Sequence, residues 1–204
     1  MSVLINASTT SGLVQTADTS GTLELQSNGT TQLTVSSAGT YGQLKSGTAA
    51  PSTSGTSINF TSIPSWVKRV TVMLNGVSSN STGVLQVQLG TGGTATITGY
   101  NSMGAGITSG TLSSVSNNTT GFGVNNEGAT AAATRSGTFV FTNITGNVWL
   151  ANIQYAFTDT TRILWGAGTV TLSGVLDTIR IIASTTGAPA DTFDAGSINI
   201  LYEG

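Results

Sequence analysis

Along most of this chain apolar residues return at every second position, and no segment shows the sustained three-to-four spacing and capping residues of a helix. Val84-Leu85-Gln86-Val87-Gln88-Leu89 puts Leu85, Val87 and Leu89 on one face and the two glutamines on the other, the pattern of a strand with one side buried and one in water. Val70, Val72 and Leu74 repeat it, as do Trp149, Ile153, Tyr155 and Phe157, then Ile179 with Ile181 and Ile198 with Ile200. Ser-Gly-Thr occurs five times, from Ser20, Ser46, Ser54, Ser109 and Ser136. Glycine supplies positive φ and the hydroxyls bond nearby backbone, so each triplet reads as a turn. The fold class is therefore all-β. About eight or nine short strands across residues 54–204 fit one antiparallel β-sandwich, jelly-roll-like in size and strand number.

The first fifty residues read differently. Thr22-Leu23-Glu24-Leu25-Gln26 and Thr31-Gln32-Leu33-Thr34-Val35 flank Ser27-Asn28-Gly29-Thr30, whose Asn-Gly is a strong hairpin turn. A lone hairpin is marginal in water and needs a partner, either the larger domain or the same segment of neighbouring subunits. Residues 46–56, small and hydroxyl-rich around Pro51, read as a linker. The expected organisation is an N-terminal attachment or oligomerisation segment at 1–45, a linker at 46–56 and the β-sandwich at 57–204.

Composition narrows the chemistry. Charged residues make up 7% of the 204, against roughly 25% in an ordinary soluble domain, and the net charge is −2. Hydroxyls and amides must keep the surface wet, and little electrostatic repulsion opposes assembly of many copies. There is no His to titrate near neutrality and no Cys for a disulfide, a thiolate nucleophile or a zinc cluster. The six cations, Lys45, Lys68, Arg69, Arg135, Arg162 and Arg180, are scattered and do not make the basic stripe of a nucleic-acid binder. No apolar run reaches the ~20 residues of a membrane span, and Met-Ser-Val-Leu-Ile-Asn lacks the basic and apolar regions of a signal peptide. Synthesis in a cytoplasm, with no membrane insertion, is the expectation.

Two sets of residues carry a family resemblance. Ile5-Asn6-Ala7-Ser8-Thr9-Thr10-Ser11-Gly12-Leu13-Val14 with Ala17-Asp18-Thr19-Ser20-Gly21-Thr22-Leu23-Glu24-Leu25-Gln26 resembles the N-terminal segment of tailed-bacteriophage virion structural proteins of the tail-fibre, head-fibre and decoration type. Ile63 to Ser78 and Asp191 to Glu203 are similar to a C-terminal module in the same group. The resemblance implies a fibre- or decoration-like appendage on head or tail, commonly trimeric. Its partners would be its own copies and, through the N-terminal segment, other virion proteins. Its location would be the virion, assembled in the host cytoplasm.

The acids Asp18, Glu24, Glu127, Asp159, Asp177, Asp191, Asp194 and Glu203 are the only residues that could supply the carboxylate pair of a polysaccharide depolymerase. They fall mostly at predicted turns and strand ends, where Asp caps backbone, so no catalytic residue is assigned. Asp191 and Asp194 lack the loop spacing of a calcium motif. No metal and no cofactor is assigned. Trp149 and Tyr155 lie on the apolar face of their strand and are expected in the core, and Trp66 is expected to plug one end of the sandwich. Tyr100, beside a glycine-rich stretch, and Trp165, before Gly166, are the aromatics left for surface recognition, with a host-surface glycan as the ligand they would stack on. Residues 99–134 admit two readings, a long recognition loop or one or two further strands. The expected function is a non-enzymatic virion protein, with a glycan-binding adhesin as the alternative.

Overall fold

The computed structural model describes residues 23–27, 30–35, 44–112, 115–124, 130–131, 133–157, 161–184 and 186–204. Among them every regular element is a strand, and the pairing is antiparallel. The chain divides into two compact units, Met1–Gly42 and Gln43–Gly204. The first holds the ribbon of β1 (Leu23–Ser27) and β2 (Thr30–Val35), with Leu23 opposite Val35, Ser27 opposite Thr30 and a register shift after Leu25. Most of the expected attachment segment, including residues 1–22 and the turn residues Asn28 and Gly29, lies outside the described residues.

The second unit runs β3 (Leu44–Ser46), β4 (Ala50–Pro51), β5 (Ser57–Thr61), β6 (Arg69–Ser79), β7 (Leu85–Thr91), β8 (Thr94–Ala95) and β9 (Asn101–Thr108). It continues with β10 (Thr111–Leu112), β11 (Ser116–Asn118), β12 (Phe122–Gly123), β13 (Arg135–Thr145), β14 (Val148–Phe157), β15 (Arg162–Thr171), β16 (Thr178–Ala183) and β17 (Phe193–Glu203). A ten-stranded sheet has the order β10-β9-β15-β14-β13-β6-β17-β3, with β11 also on β9 and β4 also on β17. A five-stranded sheet has the order β12-β7-β16-β5, with β8 also on β7. The principal pairs are nested, β6 with β17, β7 with β16, β9 with β15 and β13 with β14, as in a rolled-up hairpin. Three of these pairs share the large sheet, so the layers are unequal.

The two sheets form a sandwich around one core, since alternate residues of each point at the other. The large sheet contributes Val70, Val72, Phe139, Phe141, Trp149, Ile153, Tyr155 and Ile200, and the small one Phe60, Leu85, Val87, Leu89, Ile179 and Ile181. Trp149 and Tyr155 are buried as the alternation requires, and Trp66 packs half-buried against the core. A chain of ring contacts links Tyr100, Phe122, Phe141, Phe139, Tyr155 and Phe157, with centroids 4.9 to 6.4 Å apart. At its end the guanidinium groups of Arg135 and Arg162 each lie 5.2 Å from the Phe157 ring. Arg135 is fully buried, and its Nη2 donates to the Gly83 carbonyl at 3.1 Å. Gly83 in turn donates its N–H to Asp191 Oδ2 at 2.8 Å, so this one residue ties the loop after β6 to two distant segments.

Three details depart from the simplest sequence reading. The expected linker at 46–56 is partly sheet: β3 and β4 pair with β17, Gly47 donates its N–H to Ile200 O at 2.7 Å, and the unit boundary falls earlier, at Gly42/Gln43. An edge strand leaves a row of unpaired backbone groups, and a segment whose apolar side chains are only Ala49, Ala50 and Pro51 can still satisfy them, with Ala50 packing against the core. The glutamines of β7 do not face water. Gln86 and Gln88 are buried because residues 118–121, with Ser184 and Gly187, lie over the outer face of the small sheet. Gln86 Nε2 donates to Ser184 O at 2.9 Å, Gln88 Nε2 to Thr120 O and Gly187 O at 2.8 Å each, and Gln88 Oε1 accepts from Arg180 Nε at 2.8 Å. Residues 99–134 hold β9 to β12, which decides between the two readings in favour of further strands.

Candidate functional site

In an antiparallel sheet, directly paired residues share a face, so the register of β14, β15 and β9 sorts their side chains. Tyr155 pairs with Leu164 and Leu164 with Gly106; Ile153 pairs with Gly166 and Gly166 with Gly104; Ala151 pairs with Gly168 and Gly168 with Ser102. These rows point inward. The alternate rows point outward: Ala156, Ile163 and Ile107; Gln154, Trp165 and Ala105; Asn152, Ala167 and Met103; Leu150, Thr169 and Asn101. On β9 the glycines therefore face the core and Met103 and Ile107 face out, and on β15 Gly166 and Gly168 face the core between Leu164 and Val170 while Ile163 and Trp165 face out.

Close packing explains the inward glycines. A β carbon on Gly104 would stand 2.7 Å from the Val124 side chain, and one on Gly168 2.5 Å from Asn101 O. Val124 fills the space that an inward side chain at Gly104 would take, whereas at Gly106, Gly166 and Gly168 the paired strands of the same sheet do so. The outward residues form an open hollow of about 540 Å³ lined by Met103, Ala105, Val115, Asn152, Gln154, Trp165 and Ala167. Trp165 is 41% exposed, Met103 52% and Val115 66%, while Ile107, Ile163 and Leu150 extend the apolar surface. The rows continue across the sheet through Val140, Thr138 and Thr142 to Thr71 and Met73. The only charges reached are Arg69 and Glu203, whose 3.5 Å ion pair lies at the far corner.

Of the two aromatics expected at the surface, Trp165 is there and Tyr100 is not. Tyr100 is 3% exposed, edge-on to Phe122 with centroids 4.9 Å apart. Its hydroxyl accepts the Leu89 N–H at 2.9 Å and lies 3.0 and 3.2 Å from the Thr96 and Leu89 carbonyls. Burial pushes its pKa far above that of a free phenol, with the Leu89 hydrogen bond and Arg180 pulling weakly the other way. A glycine-rich neighbourhood looked open in sequence, but the glycines permit the turn that folds this ring under the β7–β8 hairpin. Met103, Val115, Asn152, Gln154 and Ala167 were not singled out in the sequence. Their signal was present as two Gly-x-Gly stretches, 104–106 and 166–168, whose glycine phase marks the close-packed side.

The acids with described side-chain contacts are tied to local structure. Asp191 accepts from Gly83, Asp194 from the Ser78 hydroxyl, and Asp177 from the Gly93 N–H and Thr178 Oγ1. Asp18, Glu127 and Asp159 lie outside the described residues. Among the described residues no three His, Cys, Asp or Glu side chains converge as a metal site, and no helix is long and apolar enough to cross a membrane. Compared with protein-family models, curated proteins and solved structures, the chain matches none of them.

Proposed function

We propose that this chain is a non-enzymatic bacteriophage virion structural protein, a trimeric fibre, spike or decoration on tail or head. It would consist of a jelly-roll-like sandwich attached to the particle through its N-terminal segment. One observation carries the reading. The two separate stretches that resemble a phage C-terminal module, Ile63 to Ser78 and Asp191 to Glu203, contain β6 and β17, which pair along most of their length from Phe193 opposite Ser79 to Glu203 opposite Arg69. Two motifs separated by the 112 residues from 79 to 190 that form one ribbon behave as a single module. The uncharged surface and the acids engaged in backbone and hydroxyl contacts support a scaffolding role over catalysis. Electron cryo-microscopy of assembled particles tests it: density for the sandwich on head or tail, with a copy number that separates decoration from fibre, is expected. Particles lacking the chain would refute it.

The adhesin alternative retains Trp165 and loses Tyr100. Exposed Trp165 beside the Asn152 and Gln154 amides is the arrangement that favours it. Binding on a glycan array, abolished by Trp165→Ala, is the expected result under that reading, and a blank array counts against it.

A further inference from the structure

On β15 and β9 the usual allocation is partly inverted: glycines take inward positions beside Leu164 and Val170, while Trp165, Met103, Ile107 and Ile163 face out, next to exposed Val115 and to Leu150 of β14. Apolar side chains gathered on one exposed face mark a surface that something covers. We propose that its occupant is a second copy of this chain, packed face to face through the Trp165 hollow in a two-fold contact that is separate from the three-fold association of the proposed appendage.

Three observations favour a copy over other occupants. First, the outward positions of these three strands carry no charge, so a basic or acidic partner gains nothing there, whereas an identical face is electrically matched to itself. Second, the polar groups in the hollow, Asn152 and Gln154, are exposed amides. Each carries both donors and acceptors, so the same row can pair with itself across a symmetry axis, which carboxylates or ammonium groups cannot do. Third, the area suffices. Four strands from β9 to β13 at about 4.8 Å spacing, each with four outward residues at about 6.8 Å, give roughly 520 Å² per copy, or about 1,000 Å² in total, the size at which a specific interface begins. A sugar would leave most of the surrounding Met103, Ile107, Ile163 and Val115 surface in water, and its hydroxyls would find only the two amides. Trp165, beside a hollow on the same face, supplies the large buried anchor at which association energy concentrates.

The chain has no cysteine, so an introduced one reports contact directly. The full chain carrying Gln154→Cys is treated with a flexible bis-maleimide and sedimented across about a hundredfold range of concentration. An oligomer that cross-links at Gln154→Cys, but not at Asn59→Cys on β5 of the small sheet, is expected. Adding Trp165→Glu, or Ala167→Arg should the first not fold as judged by circular dichroism, is expected to abolish the cross-link and shift association to at least tenfold higher concentration. A chain monomeric throughout, an oligomer indifferent to both substitutions, or a monomer whose Trp165 fluorescence responds to a neutral oligosaccharide would overturn the proposal. It is independent of the virion assignment: copies joined through this face on no particle would uphold it and remove that assignment.

Discussion

Within one sheet, β13 and β14 contrast with their neighbours β15 and β9. On β13 and β14 the inward positions include Phe139, Phe141, Trp149, Ile153 and Tyr155, and the outward ones mix polar Thr138, Thr142, Asn152 and Gln154 with Val140 and Leu150, close to the ordinary allocation for a sandwich. On β15 and β9 the inward positions include Gly166, Gly168, Gly104 and Gly106, and the outward ones Ile163, Trp165, Met103 and Ile107. Alternation is equally regular in both. What differs is the room beside each backbone: Gly104 meets the Val124 side chain of the covering segment, while Gly106, Gly166 and Gly168 meet the paired strands of their own sheet, so a β carbon is crowded at all four.

The sharpest way to break the contrast is to remove bulk where the gap is wide. Phe139→Ala empties a fully buried ring site between Phe141 and Tyr155 and is expected to cost about 3–5 kcal/mol in urea denaturation. A loss below about 1 kcal/mol would mean that the layers can collapse there. The converse is to add bulk where contact is tight. At Gly168 a new β carbon would stand 2.5 Å from Asn101 O and 2.7 Å from Ser102 Cα, both backbone, so Gly168→Ala is expected to cost about 2–3 kcal/mol by forcing β9 and β15 apart. Were the same measurement to find it neutral, the inward glycines would have no packing role.

Tyr100 sharpens the comparison at the end of β9. Tyr100→Phe removes the acceptor of the buried Leu89 N–H and is expected to cost about 1–2 kcal/mol. It also changes the alkaline limb. The folded phenol titrates above the unfolded value of about 10, so its contribution is intact below that pH and is lost as pH rises beyond it. Stability of the native sequence should therefore fall above about pH 10, and the phenylalanine variant should fall less steeply in denaturation curves measured there. The smallest effect belongs to the outward side: Trp165→Ser should alter the unfolding free energy of the dissociated chain by no more than about 0.5 kcal/mol. A larger loss in calorimetry at high dilution would make Trp165 part of the fold.

Much of this architecture was legible because a period of two is a local property. The residues buried on β14 and along most of β6 and β17 follow from their own alternation, as do the antiparallel class and the absence of helix among the described residues, whereas β16 is buried on both faces. The hidden glutamines, the sheet-forming 46–56 segment and the fate of Tyr100 were not legible, because each depends on a segment distant in sequence. Gln88 is covered by Thr120 and Gly187, Gly47 is held by Ile200, and Tyr100 is held by Leu89. Of the candidate site, Trp165 could be named from its glycine neighbour, but its companions could not. Met103 and Ala167 are 64 residues apart and meet only through the β9–β15 register.

The sequence by itself determined that this chain builds paired strands, that its surface is amide and hydroxyl instead of ionic, and that it has no histidine or cysteine chemistry. Tertiary structure alone decided which side of each strand is the inside. Alternation specifies two faces without saying which one another layer will cover, and in β9 and β15 the covered face is the one that carries Gly104 against Val124 and sends Leu164 and Val170 into the core, leaving Trp165 and its neighbours on the outside.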